Sequence, residues 1–160
     1  MTHKINRREL LQGAAVLAGG LCACSLAGCA SHPKATACIT PALESDSVTL
    51  TDQAITIDLA KAPSLSVVGS AAFHVDPAKD LQIIVIRPRD REYRALARLC
   101  THAHQVLSYN HLRGVLQCNG FNHSLFTLEG LPLKGPASDP LKSFPVTLKK
   151  NLLVITLNAA

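Results

Sequence analysis

Beyond its first thirty residues the chain predicts an all-β fold, an antiparallel β-sandwich or barrel. Two observations carry that expectation. Short runs of alternating or β-branched apolar residues are separated by Gly, Pro, Asn and Asp turn signals, and no long amphipathic helical pattern follows the leader. No internal repeat is present.

The elements follow in chain order. Residues 1–28 read as an export signal: Arg7-Arg8-Glu9-Leu10-Leu11 is a twin-arginine (Tat) pattern, and the apolar stretch from Gly13 to Gly28 is short for a membrane span. Leu26-Ala27-Gly28-Cys29 resembles a bacterial lipobox, which implies cleavage before Cys29, lipidation of its sulfur and a membrane-anchored lipoprotein on the periplasmic, extracytoplasmic side. An uncleaved anchor or an ordinary signal peptide is the alternative. Residues 29–47, rich in Ser, Pro, Thr and Ala, read as a flexible tether, and residues 48–160 as one domain.

Within that domain Val48-Thr49-Leu50 and Ile55 to Leu59 alternate with period two, and Leu65 to Val68 extends the same sheet. Gly69 to Ala72 reads as a turn or bulge. Leu81 to Ile86 is a nearly continuous β-branched run, the pattern of a strand buried on both faces; Pro88 limits it, and Tyr93 to Leu99 is the next strand. Val106 to Tyr109 and Gly114 to Gln117 pair as a hairpin through 110–113. Phe144 to Leu148 and Leu152 to Leu157 flank a compact turn at Lys149-Lys150-Asn151.

Sixteen Lys and Arg against eleven Asp and Glu give a net charge of +5, too mild and too scattered for nucleic-acid binding. Arg87, Arg89, Arg91 and Arg94 read as a solvated edge. Of six cysteines, Cys22 and Cys24 leave with the signal and Cys29 takes lipid, so Cys38, Cys100 and Cys118 remain. An exported protein ordinarily pairs its thiols, which suggests a Cys100–Cys118 disulfide. The other reading is that metal occupies both, and Tat export, which carries proteins folded around their cofactors, suits it.

The residues favouring metal are Cys100-Thr101-His102 and Cys118-Asn119-Gly120-Phe121-Asn122-His123. One thiol and one imidazole end each half, and each half follows a strand-like stretch. Two loops at one end of a sheet can thus face each other. Two thiolates on one iron and two imidazoles on the other would hold a [2Fe–2S] cluster. All four on one ion would make a structural Cys₂His₂ zinc site. His104 is an alternative imidazole.

With these motifs on view, the chain resembles the Rieske-type iron–sulfur proteins over roughly Leu81 to Leu157. Cys100-Thr101-His102 matches the first family motif. Ser124, Phe126 and Gly130 follow the second as in the family, and Gly135-Pro136-Ala137, Pro140-Leu141 and Phe144-Pro145-Val146 resemble its proline-rich loop and closing strands. The resemblance implies a Rieske-like sandwich with two cluster-binding loops, a [2Fe–2S] cofactor held by Cys100, His102, Cys118 and His123, and single-electron transfer with no substrate reaction of its own. It also implies a redox partner protein, such as the large subunit of an oxidoreductase or a membrane chain.

Two departures accompany it. Four residues separate Cys118 from His123 where the family has two, and counting back from Phe126 places the family's His and Cys on Asn122 and Asn119. Either the loop is re-spaced around Gly120, or the site is degenerate on a retained fold that serves binding or assembly. High-potential members also carry a disulfide between the loops and a tyrosine after the second motif. Gln105, the neighbourhood of Gly120, and Phe126 stand there instead, which implies a lower potential than in quinol-oxidising members.

Overall fold

In the computed structural model the described residues are 39–157 except 122. The export signal, Cys29 and Cys38 lie outside them, as does Asn122. Among the described residues twelve strands form three four-stranded antiparallel sheets. The first sheet has the order β1 (Val48–Leu50), β2 (Ala54–Asp58), β12 (Leu152–Thr156), β11 (Val146–Lys149). The second has β10 (Ser143–Phe144), β5 (Glu92–Ala97), β4 (Leu81–Arg89), β3 (Ser70–Asp76). The third has β6 (Leu107–Asn110), β7 (Val115–Cys118), β8 (Leu125–Phe126), β9 (Pro132–Lys134).

Strand β4 explains the layering. Ile83, Ile84, Val85 and Ile86 are all fully buried, because successive side chains point to opposite faces and both faces are covered. Ile83 and Val85 join Ile55, Ile57, Leu153 and Ile155 of the first sheet in one core. Ile84 and Ile86 join Leu107, Leu116 and Phe126 of the third sheet in another, which also contains Cys100 and Cys118. Each such side chain contributes about 1.5–3 kcal/mol by leaving water. The second sheet is therefore the shared wall between a structural layer and the layer that carries the candidate ligands.

The all-β architecture and most strands agree with the sequence. The exceptions have local causes. Pro63 opens a 3-10 turn, Pro63–Leu65, so Leu65 enters the core from a turn and Val67 and Val68 stay exposed instead of extending a strand. Of the stretch expected as a turn at 69–72, Gly69 is in a turn, but Ser70 to Ala72 begin β3, whose small Ala71 and Ala72 each face a core and conceal the alternation. Pro88 does not end β4; a register shift between Ile86 and Arg89 accommodates it. Phe144 belongs to β10 in the second sheet, and Pro145 separates it from β11.

The tether expected over 29–47 does not continue to its end. Leu43 lies in the first core, and the Leu43 amide donates to the Phe73 carbonyl at 2.7 Å while the Phe73 amide donates to Pro41 at 2.9 Å. The segment thus covers the free edge of β3. Glu44 accepts from the Ser64 hydroxyl at 2.9 Å, and the Thr40 hydroxyl accepts from the Tyr109 amide at 2.8 Å.

Candidate metal centre

Three loops converge at one end of the third sheet. The first leaves β5 through Leu99 and returns at Val106, residues that form an isolated antiparallel bridge. It is closed by the Cys100 amide donating to Gln105 at 2.8 Å and the His104 amide to Cys100 at 2.9 Å. The second follows β7, whose last residue, Cys118, pairs with Leu107. The Cys118 amide donates to the Ser124 carbonyl at 2.9 Å, and the Asn119 amide reaches across to Val106 at 3.0 Å, so the two loops are tied. The third, Gly135 to Ala137, clamps the second: the Ala137 amide donates to the buried Ser124 hydroxyl at 3.2 Å. Thr101 Oγ1 donates to the Asp139 carbonyl at 2.9 Å and ties the first loop to the chain just beyond.

This framework sorts the candidate ligands by depth. Cys100 and Cys118 are 1 % and 4 % exposed and carry free thiols, not the disulfide that export alone suggests. Burial pushes the Cys118 thiol up, and the neighbouring Cys100 adds to this against the Gly120 amide, which donates to Cys118 Sγ at 3.4 Å. A cation or an electropositive group at the sulfurs would reverse that balance. His102 and His123 are exposed. His123 takes a left-handed backbone, φ 37°, and its Nδ1 lies 3.0 Å from the Cys118 carbonyl. A carbonyl can only accept, so Nδ1 carries the proton in this arrangement and Nε2 keeps a free lone pair.

A cavity of about 150 Å³ sits between these groups, lined by His102, Cys118, His123, Ser124 and Pro136 among others. The sequence singled out His102 and His123, and both line it; His104, the alternative imidazole, does not. Buried sulfurs on the inside and exposed imidazoles on the outside fit a cluster that bridges interior and surface. One ion is a poorer fit, since among the described residues no three Cys, His, Asp or Glu side chains converge on one point. Gln105 and Gly120 are neighbours: a Cβ built on Gly120 would lie 3.0 Å from Gln105 Cγ, so the place where related loops are cross-linked is a plain contact here.

Sequence reasoning did not find Arg98, which follows β5 and borders the site, because nothing in the pattern around it distinguishes it. Nor did it find the ion pairs of the arginine cluster. Arg87 pairs with Asp90 at 2.8 Å, Arg89 with Glu92 at 3.4 Å, and Arg94 with Glu92 at 2.8 Å and with Glu129.

Together these features define a small β-sheet protein with two buried thiols and two exposed imidazoles under three loops. The Rieske [2Fe-2S] domain family matches residues 47–145, more than half of the chain, and the protein belongs to that family. It has the Rieske electron-transfer fold, whose cofactor is a [2Fe–2S] cluster. A comparison with curated proteins returned no match. Among solved structures, the plasma-membrane Rieske protein PetC3 of the cyanobacterium Synechocystis PCC 6803 is 20% identical, with a TM-score of 0.47 over 53% of this chain and 84% of that one. The ferredoxin of carbazole 1,9a-dioxygenase from Nocardioides aromaticivorans IC177 is 17% identical, with a TM-score of 0.47 over 56% of this chain and 86% of that one. A chain from a complex of reduced oxygenase and oxidized ferredoxin in carbazole 1,9a-dioxygenase is 22% identical, with a TM-score of 0.48 over 57% of this chain and 83% of that one.

Proposed function

We propose that the protein is an exported, lipid-anchored Rieske electron carrier in which Cys100 and Cys118 hold one iron and His102 and His123 the other. The carrying observation is the cavity of about 150 Å³ that collects both imidazoles and Cys118, with Cys100 buried in the same core. The cluster supplies a one-electron couple when bound. The chain's own residues do the rest. The buried cysteines keep water from the sulfur side, the Gly120 amide gives Cys118 Sγ a hydrogen bond, and the exposed histidines form the face through which a partner is reached. The re-spaced second loop is compatible with this role because the His123 amide bonds back to the Gly120 carbonyl at 3.3 Å and His123 lines the cavity.

The potential belongs below that of quinol-oxidising members. Phe126 is fully buried and brings no hydroxyl to the sulfurs, and no disulfide joins the loops at Gln105 and Gly120. The Arg7-Arg8 pattern and Cys29 support export and anchoring on the extracytoplasmic face, with a redox partner protein or oxidoreductase subunit as electron donor or acceptor.

The test is anaerobic purification without the export signal, iron analysis, and EPR after reduction. Two irons per chain and a Rieske-type signal support the assignment. An iron-free protein, one carrying zinc, or one with a Cys100–Cys118 disulfide sinks it. His123→Ala is expected to abolish the signal and His104→Ala to spare it; the reverse would move the fourth ligand. Labelled-palmitate incorporation, lost in Cys29→Ser, tests the anchor.

A further inference from the structure

A groove of about 650 Å³ opens on the β6–β7 side of the metal centre, lined by Phe73, Arg98, Ser108, Leu112, Asn119 and His123 among others. That is the size of small-ligand sites. Most of its polar lining is satisfied internally. Asn119 Nδ2 donates to Ser108 Oγ at 3.0 Å, and Asn110 Nδ2 donates to Gln117 Oε1 at 3.2 Å. Arg98 is different. Its guanidinium carbon stands 3.5 Å from the centroid of the Phe73 ring, and its Nε is buried with no partner. Among the described residues no carboxylate pairs with it, whereas Arg87, Arg89 and Arg94 each have one.

A guanidinium presents a planar fork of donors that matches a carboxylate bidentately. Stacking on Phe73 fixes the plane of that fork, so less side-chain freedom remains to be lost on pairing. The groove's border is apolar: Ile39 and Leu112 are 82 % and 81 % exposed and both line it. An organic carboxylate with an apolar body fits both features, and a small hydrated anion fits only one.

We propose that this groove is a carboxylate-binding site, in which Arg98 holds the carboxylate and Ile39 and Leu112 cover the apolar part beside it. The carboxylate has two sources with the same chemistry, a free organic acid or an acidic side chain of a docked protein. Cys118 and His123 also line the groove, so the occupant lies beside the metal centre. The assignment does not depend on the cluster, because the groove and its arginine are present whichever metal reading holds.

Ligand-observed NMR on the whole exported domain tests it, with butyrate as the free acid and a short peptide holding one glutamate between leucines as the protein mimic, at matched ionic strength. Saturable binding is expected, weakened about tenfold or more in Arg98→Gln and less in Arg98→Lys. A peptide about tenfold tighter than butyrate, and weakened by Leu112→Ser, identifies a docked side chain. Comparable affinities identify a free acid, and either result supports the site. Absence of saturable binding by both probes overturns it, as does unchanged affinity in folded Arg98→Gln. Should that variant not fold, Arg98→Lys decides: affinity equal to the parent's would overturn the bidentate fork.

Discussion

At Gly135 the backbone φ is +99°, and a methyl group there would lie 2.6 Å from Ser124 Cα. Gly135→Ala is therefore expected to cost about 1–3 kcal/mol, measured by urea denaturation, and to loosen the clamp on the second loop. A neutral result would mean that the third loop does not bear on the site. His74 supplies a pH dependence. Burial lowers its pKa from the ordinary 6.5, Asp76 opposes this, and its Nε2 is buried without a partner. The unfolded chain then takes up the proton more readily than the folded one. Its contribution to stability is complete above the ordinary value and is lost as pH falls through the lowered one. Melting temperature should fall as pH drops below about 6.5, and His74→Gln should flatten that fall; equal slopes would exclude His74 as the cause. At this scale Cys100, His102, Cys118 and His123 could be singled out because their chemistry is rare, although the spacing of the second pair is irregular. Arg98 could not be, because an unpaired cation is defined by the carboxylate that fails to meet it, and only the fold shows that.

Strand β4 was the most legible element, because four consecutive fully buried branched residues leave few alternatives to a strand covered on both sides. Strand β3 was missed for the converse reason: Ala71 and Ala72 are fixed by the space between two cores and carry no pattern of their own. The short β8 is held by pairing with β7 and the short β9 by pairing with β8, so tertiary contacts decide them. Element by element, the two cores should respond differently to truncation. Phe126→Ala in β8 removes a fully buried ring from the core that contains both cysteines and should cost about 3–5 kcal/mol together with iron retention. Leu153→Ala in β12 should cost about 2–5 kcal/mol while the folded fraction keeps its full iron content. Iron analysis on the folded fraction separates them; parallel losses would show that the cores are not distinct.

In the molecule as a whole the second sheet is a partition with different tasks on its two sides. The side formed by β1, β2, β11 and β12 is closed by apolar packing. The side formed by β6 to β9 encloses two thiols. Removing iron with chelator and reductant should therefore lower hydrogen-exchange protection in β6–β9 first and leave β1, β2, β11 and β12 largely protected. A uniform loss would show one cooperative unit. This division was legible in outline, from a run buried on both faces beside two ligand loops, but the residues shared between layers were not, since adjacency of sheets is a property of topology.

The cover strand at 41–43 has a mechanical meaning. Its hydrogen bonds with Phe73 lie across the chain, so a pull along the chain at Ile39 would strain them in shear, and Thr40 would pass part of that load to Tyr109 in β6. Strand β6 is the partner of β7, which ends at Cys118. Tension applied at Ile39 would thus reach the strand end on which one sulfur stands.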